Sequence, residues 1–225
     1  MKRRTLPVAT AFAAAATLLL TACGGGGDPS GESDAIADSS SGQGAKKPTK
    51  PTKPSGAPEE GKPDGVDVSL PEDMNLVFDW DKPKDGNEAA AMEDAGNHLR
   101  AIYRGVDKRT TKDAALTAYA TGQGLHYGEV QINERIGGGW TGTGTRRHYD
   151  ATTRSASNGT SVEVAFCSDA SRFYGKEVKT GKVLRTEPSL KTFGHYKIVM
   201  VKVPTDEDLW QASEVFAVTK AEQCR

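Results

Sequence analysis

The sequence predicts an α+β fold over its C-terminal two-thirds, with helices first and a run of antiparallel strands behind them. Three observations carry this. Apolar residues recur at three-and-four spacing from Met92 through Ala95, Leu99, Ile102 and Tyr103 to Val106, the pattern of one buried helical face. From about residue 147 the period falls to two, and Val162, Val164 and Phe166 alternate as on a half-buried strand. Asn158-Gly159 between two such runs is a tight-hairpin signal, read as a type I′ turn because both residues tolerate positive φ. Helical segments followed by a series of strands is the α+β order.

Taken along the chain, Met74 to Trp80 is apolar with aromatic residues near its end and reads as a short strand, closed by Pro83 and Lys84-Asp85-Gly86. The first helix follows. Asp85 stands three residues before Glu88, as in a capping box, with Asn87 as an alternative cap, and Gly105 reads as the stop. A second, shorter helix is expected over 112–121, capped by Thr110 with Asp113 three on, stopping at Gly122. Val130, Ile132 and Ile136 fit either a third helix or a strand. Gly137 to Gly144 is glycine-rich around Trp140 and reads as a flexible turn; it lacks the Gly-Lys-Ser/Thr ending of a phosphate loop. Further strands are expected at 147–155, 161–167, about 173–174 and 183–184 around a Lys179–Lys182 turn, 196–203, and 210–219. In the last of these Trp210, Ala212, Phe216 and Val218 share one face by alternation.

The N-terminal third has a different character. Lys2, Arg3 and Arg4 precede an uncharged Ala/Leu-rich run to Leu20, the pattern of a secretory signal peptide too short to span a bilayer comfortably. It ends in Leu20-Thr21-Ala22-Cys23, which resembles the lipobox of bacterial lipoproteins. That resemblance implies removal of 1–22 and acylation of Cys23, placing the protein on the extracytoplasmic face of the cell membrane. Two acyl chains anchor firmly where one binds marginally. Residues 23–70 form a lipid-anchored linker rich in Gly, Pro, Ser and Lys and free of aromatic residues, and such a composition is expected to stay disordered. Its Lys-Pro-Thr-Lys-Pro-Thr-Lys-Pro repeat favours extended polyproline II geometry. The globular domain is expected to be 71–225.

The chain as a whole has a formal net charge of −1, with mixed signs through the domain, so nothing argues for nucleic acid as a partner. With Cys23 assigned to lipid, Cys167 and Cys224 remain, and an even remainder in an exported protein reads as a disulfide. Zinc would need further Cys or His at ligand spacing.

A curved sheet wrapped on N-terminal helices is the cone of the NTF2-like, or SnoaL-like, folds. Phe78-Asp79-Trp80, Tyr119-Ala120-Thr121-Gly122, Cys167 to Ser171, Lys179 to Lys182 and a Trp strand ending near a final Cys resemble a recurrent group of actinobacterial lipoproteins with such a domain. The resemblance implies a cone of antiparallel strands and carries no activity. In such cones sheet and helix residues converge on a cavity, and Trp80, Tyr119, Trp140, Tyr149 and Trp210 are the candidate lining. If the cone were catalytic, Asp79 or Asp150 would be the base and His126 or His148 the acid. His98 reads as a partly exposed structural residue. No Ser nucleophile elbow, Ser-x-x-Lys, His-Glu-x-x-His or acidic calcium loop is present, so no metal or cofactor is expected. The functional expectation is a non-enzymatic, membrane-anchored domain that binds an envelope protein or a small apolar ligand. The alternative is a dehydratase or isomerase using a His/Asp pair.

Overall fold

The computed structural model describes residues 65–206 and 208–225; the expected signal peptide, Cys23 and most of the expected linker lie outside the described residues. The first strand, β1, is Met74–Asp79. Helix α1, Gly86–Asp107, starts where the sequence placed it: the Asp85 carboxylate accepts from the Glu88 N–H at 3.0 Å. Glu88 does not close the box. Its carboxylate reaches across to Thr153 and Ser155 instead. The helix also runs past Gly105, which serves packing rather than termination. A Cβ there would sit 2.9 Å from the Thr110 carbonyl and press into the Ile132 side chain.

Helix α2, Ala114–Tyr119, is shorter than expected and is capped by Asp113, whose carboxylate accepts from Ala115 N–H; Thr110 instead caps the turn before it. Gly122 opens the next helix rather than ending this one. Helix α3, Gly122–Gly138, resolves the ambiguity around Ile132 in favour of a helix, and Gly139 ends it at φ +73°, a left-handed C-cap. The expected flexible turn over 137–144 is therefore a helix terminus joined directly to a strand.

The remaining strands are β2 (Trp140–Ser155), β3 (Ser161–Glu177), β4 (Val183–Leu184), β5 (Phe193–Lys202) and β6 (Trp210–Thr219). They form one six-stranded sheet in the order β1-β2-β3-β5-β6, with β4 on β3. The sheet is mixed, not wholly antiparallel, because β1 pairs parallel with β2 from Met74 opposite Gly144 to Asp79 opposite Tyr149. A parallel neighbour needs a long crossover, and the three helices between Asp79 and Trp140 supply it. The β2–β3 turn also differs from expectation. Gly159 is at φ +68° and donates to the Ala156 carbonyl, but Asn158 is not among the positive-φ residues, so the turn is not type I′.

The core lies between the sheet and α1, with Val162, Val164 and Phe166 of β3, Ile198 and Met200 of β5, and Trp210 and Ala212 of β6 essentially inaccessible. Residues 66–70, which composition assigned to the linker, pack on this domain. Val66 and Val68 lie against Ala101, Ala115 and Tyr119, and Arg104 ion-pairs with Asp67 at 3.0 Å while donating to Ser69. Three apolar residues in five, each packed against a buried cluster, outweigh the local Gly/Asp composition. Cys167 and Cys224 form the expected disulfide, with Cα atoms 5.3 Å apart, fastening the C-terminal turn to β3.

One alternation fails. Phe216 and Val218 are 54% and 57% exposed, although Trp210 and Ala212 are buried. Ser213 is an extra residue in β6, since Val199 faces Glu214 while Met200 faces Ala212. That bulge shifts the phase, turning Val215 inward and Phe216 outward. Among the described residues no helix is long and apolar enough to cross a membrane.

Candidate functional site

The inner face of β2 is built by alternation. Gly142, Gly144, Arg146 and His148 fall on one side of the strand, and Arg147 on the other is exposed. Arg146 therefore enters the space between the sheet and the helices. Its Nε–H donates to Ser168 Oγ at 2.7 Å, Nη1 to Tyr103 Oη at 2.6 Å and Nη2 to Tyr196 Oη at 2.9 Å. These three hydroxyls come from β3, α1 and β5, so the guanidinium ties three elements to β2. Burial opposes its charge, but the Tyr103 and Tyr196 oxygens outweigh that cost and hold its pKa above the ordinary arginine value.

Around it Tyr127, Gln131 and Arg135 of α3 and His148 line a partly open cavity of only about 20 Å³. That is room for about one water molecule. Arg135 is fixed by its donation to Gln131 and lies over the rings of Tyr103 and Trp140, at 5.9 and 5.3 Å. Burial pushes the Tyr127 hydroxyl pKa up, so it stays protonated.

His148 is 2% exposed and stacks on Phe78 at 4.8 Å, with Nδ1 3.3 Å from the Val77 carbonyl. Burial, then the nearby Arg146 charge, depress its pKa to about 3, so it is neutral at physiological pH. Of the four candidate acid–base residues, it alone reaches the cavity. Asp79 is exposed and ion-paired with Arg147 at 2.7 Å. Asp150 sits at φ +51° in a second bulge, where Tyr149 faces Cys167 but Thr152 faces Ala165; the extra residue turns it to solvent. His126 is exposed on α3, in a shallow groove against β6 with Val130 and Phe216.

The five candidate aromatics do not share a cavity. Tyr119 and Trp210 fill the core; the Trp210 backbone N–H donates to the buried Asp94 carboxylate at 2.9 Å, while its indole N–H has no partner among the described residues. Trp80 packs edge-on to Phe78 in an open groove of about 350 Å³ beside α1, with Lys82, Met92 and Arg100. Trp140 stands at the start of β2 under Arg135. Tyr149 donates its hydroxyl to the Cys224 carbonyl, beside the disulfide. His98, expected to be partly exposed, is fully buried on α1 with neither ring nitrogen bonded among the described residues, and burial lowers its pKa to about 4. Among the described residues no group of three His, Cys, Asp or Glu side chains could hold a metal ion.

Sequence reasoning passed over Arg146, Tyr103, Tyr127, Tyr196 and Arg135. The available signal was period two counted back from His148, which puts Arg146 on the same face.

No protein-family model and no curated protein matches the sequence. Among solved structures the chain is similar to an NTF2-like superfamily protein from Salmonella enterica subsp. enterica serovar Typhimurium str. LT2, with a TM-score of 0.40 and 12% identity, over 60% of this chain and 92% of that one. It is also similar to the intermembrane space region of chloroplast protein ARC6, with a TM-score of 0.35 and 11% identity, over 57% of this chain and 96% of that one. The fold itself is α+β: a mixed sheet of six strands carrying helices on one face.

Proposed function

We propose that this is a lipid-anchored envelope protein whose NTF2-like domain binds a protein partner on the extracytoplasmic side and catalyses no reaction. The observation that carries this reading is the filled cone. Its interior has room for about one water, where a small-molecule site has roughly 300–1,000 Å³. Among the described residues the lining offers no acid–base pair: His148 is neutral, bonded to a backbone carbonyl, and no carboxylate joins it. Apolar surface lies instead on the outside, where Phe216 and Val218 project from the outer face of β6. No specific observation favours the dehydratase or isomerase reading. The anchor on Cys23 is part of the proposal and rests on the Leu20–Cys23 motif.

The test is photo-crosslinking in the native envelope, with a photoreactive residue replacing Phe216 or Val218 in the full chain. The expected result is one discrete adduct from these positions, absent when the probe sits at the exposed Glu187, and weakened when Cys23→Ala releases the chain from the membrane. No adduct from either position, or equal adducts from all three, would overturn it.

A further inference from the structure

The Arg146 guanidinium is a half-buried cation held in a small, partly open cavity by neutral hydrogen-bond partners. Its three hydrogen-bond acceptors are hydroxyls of Ser168, Tyr103 and Tyr196, and no ion pair to it forms among the described residues. A second guanidinium, Arg135, lines the same cavity, and the one histidine there is neutral. Among the described residues no aspartate or glutamate lines it. Two positive charges thus face one small space with no negative one. Burial keeps the Tyr127 hydroxyl protonated, so it adds no negative charge. The hydroxyl oxygens offset the cost of burying the Arg146 cation but bring no negative charge into the space. A guanidinium has five N–H groups, and three are engaged with protein, so two remain.

We propose that this cavity is a binding site for one small monovalent anion, a halide or the carboxylate group of a small ligand, held by Arg146 with Arg135 and the Tyr127 hydroxyl beside it. Three features define the ligand. The charge pattern demands an anion. The space of about 20 Å³ admits a group near the size of one water and excludes phosphate, sulfate and nucleotides. The guanidinium is fixed on three sides before any ligand arrives, so little ordering is lost on binding. The site is separate from the outer face of β6 and stands or falls independently of the partner-binding reading.

The experiment is thermal unfolding of the full chain in detergent, in sodium chloride, bromide or acetate against sodium sulfate at fixed ionic strength, together with chloride-35 NMR line widths. The expected result is a saturable rise in Tm with a halide or acetate, about 5–10 °C at one hundred times Kd, and excess chloride broadening removed by the competing anion. Arg146→Met should abolish the specific rise. Should that variant not fold, Arg135→Met, which removes a lining charge and none of the Arg146 bonds, should weaken the apparent Kd by about tenfold. Halide binding without acetate identifies a free-ion site, and acetate binding without halide identifies a carboxylate site; either supports the proposal. Salt dependence that is unsaturable and the same in wild type and Arg135→Met, with no excess broadening, would overturn it.

Discussion

The two ends of the space between sheet and helices are built by one sheet yet are chemically opposite. At the dry end β3, β5 and β6 turn Val164, Ile198, Met200 and Trp210 inward, all at zero exposure. At the wet end β2 turns Arg146 and His148 inward, and α1, α3 and β5 answer with three tyrosines and a second arginine. The dry end is held by apolar burial, at about 25 cal/mol per Å² removed from water. The wet end is held by directional bonds, where each engaged N–H of Arg146 contributes only about 1–3 kcal/mol net. A region of the first kind tolerates little change of volume. A region of the second kind tolerates little change of charge.

Phe166 joins the two, stacked on Tyr196 at 5.3 Å and edge-on to His148 at 5.7 Å, so truncating it should damage both. Phe166→Ala is expected to cost about 3–5 kcal/mol in chemical denaturation. A cost below about 1 kcal/mol would mean that the ends are not coupled through this ring. The disulfide comes next. It closes a sequence separation of 57 residues from within β3, and the loop-entropy model puts its loss at about 4 kcal/mol, an upper-end figure. Cys167→Ser with Cys224→Ser, compared with wild type with and without reductant, measures this; reductant should do nothing to the double variant.

The two buried histidines sharpen the comparison through pH. His98 and His148 have folded pKa values of about 4 and about 3, below the ordinary 6.5. The unfolded chain therefore takes up their protons first. Their stabilising contribution is complete above pH 6.5 and is lost as pH falls toward 4 and then 3, at up to about 1.4 kcal/mol per pH unit for each. His98→Leu should remove about half of the histidine part of that slope near pH 5, and an unchanged slope would contradict the burial of His98. At the far end of the scale lies Asp79→Ala. Its ion pair with Arg147 is half-exposed, and its loss is expected to change stability by less than about 1 kcal/mol in the same assay.

Local chemistry made much of this legible in advance. Asp85 marked the start of α1 because a cap acts within one turn, and Trp210 to Thr219 read as a strand over its full length. The disulfide followed from the cysteine count together with the expected export. What escaped the sequence were the relations that period-two counting cannot carry across an irregularity. The bulge at Ser213 turned Phe216 outward, and the bulge at Asp150 removed a carboxylate that alternation had placed beside His148. The parallel pairing of β1 was hidden because a strand of six residues carries no mark of its partner's direction. Arg146 was hidden by its neighbour. Arg146-Arg147 looks like a solvated pair, and only the strand's alternation sends one in and one out.

The measurement that tests this account most directly is a histidine titration by long-range proton–nitrogen NMR on the full chain, with His148 assigned by comparison with a His148→Gln variant. The account holds that the cone is filled, with a charged Arg146 beside a neutral His148, and predicts that His148 keeps one protonated ring nitrogen from pH 8 down to at least pH 4. Titration near 6.5 would mean a hydrated cone or a carboxylate at the ring, and would contradict it.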